Sequence, residues 1–163
     1  MGVIRWLENR SLSDSEASMI YGLRLVQAHR FKGVRDRLPA RGPQDVYAFM
    51  APIAAREVAE IFWILELDAQ HNIVRNAPII IATGTVNSAF AHPREVFRAA
   101  IVAGAYAVIL VHNHPSGEPT PSAEDRALTE QFVAGGKLLS IPVHDHIVIG
   151  HGLYVSFAEA GLL

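Results

Sequence analysis

Residues 106–125 read YAVILVHNHPSGEPTPSAED. The first six form an unbroken apolar run with the length and composition of a central strand covered on both faces. His112 and His114 follow where that strand ends, and a period of two points both imidazoles to the same side. Pro115 and Gly117 turn the chain. Ser122, with Asp125 three residues on, is spaced as a helix N-cap and its third-position acid, so the stretch predicts strand, loop, helix.

The flanking segments supply a sheet and its cover. Upstream, PREVFRAAIVAG (93–104) opens on Pro93 and carries Val96, Phe97, Ala100 and Ile101 at helical spacing until Gly104 stops it. Before it, EIFWILELD (60–68) and NAPIIIATG (76–84) are two β-rich runs joined through the polar DAQHN, which predicts a hairpin. Pro43 starts an earlier helix to about Ala55, with Val46, Phe49, Met50 and Ile53 on its apolar face. Downstream, a helix is expected from Ser122 to about Ala134. LLSIPVHDHIVIG (138–150) then supplies one or two strands before a short tail. The fold class that results is α/β: a single mixed sheet flanked by helices.

Residues 42–163 make up this domain, and residues 1–41 precede it as a separate region. There Ser13 and Glu16 form a capping box, and Met19, Ile20, Leu23 and Val26 recur helically, predicting a helix over residues 14–29. FKGVRDRLPARGP (31–43) shows no period and reads as a linker. Residues 1–42 hold eight Lys/Arg against four Asp/Glu, and residues 43–163 hold six against twelve. The arm is basic and the body acidic. Such an arm is either a solvated helix and linker or a weak contact for nucleic-acid phosphate.

With 163 residues, half of them hydrophobic, the chain can bury one core. No cysteine is present, so imidazole and carboxylate are the strong metal donors on offer. That suits a cytoplasmic protein. Arg5, Glu8 and Arg10 interrupt the first ten residues, and neither a signal peptide nor a membrane contact is expected.

His112, His114 and Asp125 could share one divalent ion and leave a fourth position open, as catalytic zinc sites do. The same residues could equally be two strand-end histidines and a capped helix. Spacing does not choose between these.

The pattern His-x-His, ten residues, Asp, with serine three before the aspartate, resembles the JAMM metalloprotease motif. Together with PREVF, AVILVHNHPSG, PTPSAED and DHIVIG, it is similar to the RadC family, the RadC-like branch of JAB/MPN domains, over residues 43–163. The resemblance implies a cytidine-deaminase-like sheet-and-helix architecture, with Zn2+ held by His112, His114 and Asp125. It implies a hydrolase of peptide or isopeptide bonds acting on a protein or peptide substrate, with an upstream glutamate as general base. Glu60, at the start of an apolar strand, is the best placed. Glu66, six residues on, lies roughly 20 Å away at the usual strand rise, and Glu57 falls at a helix end or loop.

Ser122 would add a hydroxyl donor for the developing oxyanion. Serine is not the nucleophile in this scheme. Asn113 stands where ubiquitin-isopeptidase relatives usually have Ser or Thr, so ubiquitin is not carried over. His144, Asp145 and His146 repeat the His-x-His spacing on a strand and suit a supporting or sheet-end role rather than a second metal. His29, His71, His92 and His151 receive no assignment. The competing reading is a DNA-associated repair or mobile-element accessory protein that uses the basic arm.

Overall fold

The two β-rich runs around DAQHN fold back on each other as expected, and the strand of residues 106–111 becomes the middle of a five-stranded sheet. The computed structural model describes residues 38–75, 77–84 and 91–163. The helix expected over residues 14–29 lies outside them. In chain order the elements are α1 (Pro43–Ala54), β1 (Ile61–Leu67), β2 (Ile79–Thr83), α2 (Pro93–Ala103), β3 (Ala107–Asn113), α3 (Ala123–Leu139), β4 (Val143–Ile149) and β5 (Tyr154–Ser156). The strands lie in the order β2-β1-β3-β4-β5. Only β3 and β4 pair in parallel, and the other neighbours are antiparallel, so the sheet is mixed.

Both faces of the sheet are covered, which is why β1 and β3 are buried along their whole length. On one face Trp63, Leu65, Ile109, Val111 and Ile147 pack with Val46 and Met50 of α1. On the other, Phe62, Ile64, Val108 and Leu110 pack with Val96, Phe97 and Ala100 of α2 and Phe132 of α3. Alternation along β1 and β3 sorts these residues between the layers.

Helix ends follow the expected chemistry in two places. At α2 the His92 ring accepts a hydrogen bond from Arg94 N (3.0 Å), and Gly104 ends the helix in the left-handed conformation. At α3 the Ser122 capping box is complete.

The far end of α3 departs from expectation: the helix runs to Leu139, through Gly135 and Gly136, instead of stopping near Ala134. These glycines are contact points. A Cβ at Gly136 would lie 2.5 Å from the Ile141 carbonyl oxygen, and one at Gly135 would lie 2.9 Å from the Phe97 ring. Leu138 and Leu139 are therefore helical, one strand follows, and the second forms in the tail as β5.

A register shift between Val108 and Ile109 pairs Val108 with Val143 and Ile109 with Asp145. His144 is thus the extra residue of a β-bulge. The bulge changes the phase of β4, so Val143 packs in the α2/α3 layer while Ile147 packs in the α1 layer. Among the described residues no helix is long and apolar enough to cross a membrane.

Candidate metal centre

The end of the sheet where β1 begins and β3 finishes brings four side chains together. β1 and β3 pair Phe62 with His112 and Trp63 with Val111. Continued by two residues, that register sets Glu60 opposite His114 on the α2/α3 side of the sheet. His114 stands one residue beyond β3, with its N–H bonded to the Ile149 carbonyl (2.9 Å). Asp125 enters from the first turn of α3. Glu60, His112, His114 and Asp125 each offer one ligand atom, and all four atoms lie within 4.8 Å of one another.

The spacings suit one small cation. The Nε2 atoms of His112 and His114 are 3.0 Å apart, and they stand 3.3 and 3.5 Å from the Asp125 oxygens Oδ1 and Oδ2. Metal–ligand bonds near 2.0–2.1 Å in a tetrahedron put neighbouring donors about 3.3 Å apart. The set is hard and borderline, two imidazoles and carboxylates without sulfur, and it can hold a divalent ion.

Burial grades across the cluster. His112 is fully buried, Asp125 is 2% exposed and His114 is partly open. Glu60 is half-buried, with Oε1 shielded from solvent. Burial pushes the Asp125 carboxyl up, but hydrogen bonds and charge from His112, His114 and Ser122 overcome it and leave the group well below the usual carboxylate range. The His114 ring is raised above an ordinary imidazole, first by its hydrogen bond to Asp125 and against the opposing effect of burial.

Each ring is held from behind. The Nδ1 of His114 lies 2.7 Å from the Glu118 carbonyl oxygen, which can only accept, so Nδ1 carries a proton and Nε2 is the nitrogen that faces His112 and Asp125. His112 Nδ1 faces His146 Nε2 at 2.8 Å. Phe62 lies against both His112 and His146.

Asp125 divides its oxygens. Oδ2 accepts from Ser122 N (2.8 Å) and from Ser122 Oγ (2.7 Å), while Oδ1 faces His112. Ser122 Oγ in turn accepts from Asp125 N (3.1 Å). Capping and facing the imidazoles are therefore simultaneous properties of Asp125, and the Ser122 hydroxyl proton points at its carboxylate.

The competing acids are elsewhere. Glu66 is buried and paired with Arg75 (2.7 Å), and Glu57 lines a cleft. That cleft, about 570 Å3, is lined by His114 together with Tyr47, Ala51, Val58, Ile149, Gly150 and His151. Gly117, at φ +88°, packs against His151 of that lining, where a Cβ would sit 2.5 Å from the ring.

The second histidine group separates. The Asp145 carboxylate accepts from His146 N (2.7 Å), Ser156 Oγ (2.6 Å) and Ala158 N (3.0 Å), tying β4 to the tail. His144 turns to His71, with ring centroids 4.8 Å apart. His71 itself sits at φ 60° in the β1–β2 connection.

Asn113 has a role that sequence reasoning missed. Its Oδ1 accepts from Ile61 N (2.8 Å) and its Nδ2 donates to the Ala59 carbonyl (3.0 Å), so one amide grips the backbone on both sides of Glu60. The available signal was that an amide both donates and accepts, which Ser and Thr do only through one atom.

A family model described as the RadC-like JAB domain matches residues 40–162. A UPF0758 protein of Methanosarcina acetivorans is 46% identical over 121 residues, covering 74% of this chain and 52% of the relative. A UPF0758 protein of Symbiobacterium thermophilum is 44% identical over 127 residues, 78% and 53% respectively. One from Trichlorobacter lovleyi is 37% identical over 99% of this chain and 74% of its own length. The chain spans about half the length of the first two relatives. With three-quarters of its length matched by the family model and this group of Glu, His, His and Asp at one sheet end, the chain belongs to the RadC family.

Proposed function

We propose that the chain is a zinc-dependent hydrolase of peptide or isopeptide bonds. The observation that carries this reading is the convergence of Glu60, His112, His114 and Asp125 within 4.8 Å at one end of the sheet, with His114 also lining a cleft. His112, His114 and Asp125 would hold the ion. When bound, zinc supplies polarisation of a carbonyl and acidification of water at neutral pH.

The protein's own groups supply the rest. The Glu60 carboxylate takes a proton from the attacking water and returns it to the leaving amine. Turned from Asp125 Oδ2, the Ser122 hydroxyl donates to the carbonyl oxygen as charge develops there. The cleft beside His114 receives the substrate chain, its walls mainly small and apolar with Glu57 and His151 as polar points. The buried sheet end shields His112 from bulk water.

Three proteins test this: wild type, His112→Ala/His114→Ala, and Glu60→Gln, each measured for zinc content and for cleavage of a mixed peptide library. Wild type is expected to retain about one zinc and the double variant none. Glu60→Gln is expected to keep the ion and to lose about 10²–10⁴-fold in rate. A wild type that never retains zinc defeats the reading.

A further inference from the structure

Behind His112, three hydrogen bonds run in series through a fully buried path. His112 Nδ1 meets His146 Nε2 at 2.8 Å, His146 Nδ1 meets Thr129 Oγ1 at 2.7 Å, and Thr129 Oγ1 meets the Asp125 carbonyl oxygen at 2.6 Å. His112, His146 and Thr129 are all 0–1% exposed. The order of protons along this path follows from its last member. A carbonyl oxygen can only accept, so the single Thr129 hydroxyl proton is spent on Asp125 O. Toward His146, Thr129 Oγ1 must then accept, which places a proton on His146 Nδ1.

His146 is neutral in this arrangement, since a cation between Phe62, Phe157 and His112 would be buried with no carboxylate against its ring nitrogens. Its Nε2 is therefore a lone pair, and His112 Nδ1 must supply the proton between the rings. On a neutral His112 ring, Nε2, facing His114 and Asp125, is then the nitrogen free to coordinate.

We propose that His146 and Thr129 are positioning residues for the metal centre: they fix His112 in the one tautomer whose Nε2 can coordinate, and they read out the placement of Asp125 while doing so. The inference rests on reading the cluster as a metal site. The path also closes a ring, because Asp125 meets His112 directly on one side and through Thr129 and His146 on the other. β3, β4 and α3 are thereby locked in one relative setting. The bulge at His144 is what turns His146 onto this face.

The test has one arm that needs no metal. In full-length metal-free protein labelled with 15N-histidine, long-range 1H–15N correlation at mildly alkaline pH reads which nitrogen of each ring carries hydrogen. His112 and His146 are both expected as the Nδ1–H tautomer, with His112 identified by its loss in His112→Ala. The second arm titrates zinc against a chromophoric chelator. Thr129→Val, which keeps the side-chain shape and removes the hydroxyl, is expected to weaken zinc binding about 10–100-fold and to spread His112 over both tautomers. Thr129→Ser is expected to restore both.

Finding the proton of wild-type His112 on Nε2 overturns the proposal, as does a folded Thr129→Val that binds zinc as tightly as wild type. If the Nδ1–H tautomers are present but wild type binds no zinc, the metal reading falls while the proton order stands. If zinc binds but the tautomer is reversed, the metal reading stands and the relay falls.

Discussion

Asn113 shows how one side chain can carry a site without touching it. Its amide satisfies Ile61 N and Ala59 O together, and Glu60 is the residue between them. In Asn113→Asp the oxygen replacing Nδ2 would face the Ala59 carbonyl, acceptor against acceptor. A loss of about 1–3 kcal/mol in unfolding free energy is expected, read by urea titration. Zinc content should hold while hydrolysis drops, because Asn113 contacts none of the three proposed ligands. Retained hydrolysis in a folded Asn113→Asp would separate this residue from the placement of Glu60. The sequence offered His112, His114 and Asp125 as candidates by spacing and resemblance, and Glu60 because the resemblance asks for an upstream acid and Glu60 stands at a strand start. It could not show that Asn113 reaches across to β1, because that contact spans 52 residues and depends on strand register.

At the scale of the element, the bulge in β4 separates two histidines that spacing alone would place together. His146 goes to the site, and His144 goes to the far side beside His71 and Tyr106. Burial, and then the neighbouring His71, lower the proton affinity of His144 below that of a free imidazole. A base depressed in this way is protonated more readily in the unfolded chain, so its share of stability is present above the unfolded value of 6.5 and is lost as pH falls through and below it. Melting temperature is therefore expected to fall less between neutral and mildly acid pH in His144→Gln than in wild type. Parallel curves for the two proteins would count against this. Bulges escape a sequence reading because they leave composition unchanged and alter only phase. The end of α3 differs in another way: Gly135 and Gly136 lie beyond the expected end near Ala134, yet they are helical and make close contacts with Phe97 and Ile141.

For the whole molecule, the α/β class and the covered central strand were legible because long apolar runs and helical periodicity do not depend on distant partners. The gathering of side chains was legible only through the resemblance, and strand order was not read at all, since both arise from pairing across the sheet. The proposed ligands join β3, its following residue and α3, so an ion there would cross-link the sheet to a helix. Removing metal with a chelator is expected to lower the melting temperature, with a hundredfold excess of zinc over its dissociation constant contributing about 2.7 kcal/mol. The His112→Ala/His114→Ala protein should show no such change under the same titration. An equal shift in both proteins would mean that the ion acts elsewhere.

The split use of the Asp125 carboxylate bears on how an ion would come and go. Oδ2 is held by the helix start while also facing His114, and Oδ1 is left for His112. Loading the centre then requires no fraying of the first turn of α3, and emptying it leaves no dangling amides behind. Exchange should be governed by the opening past His114 rather than by local unwinding, giving a centre that is built in advance and filled afterwards.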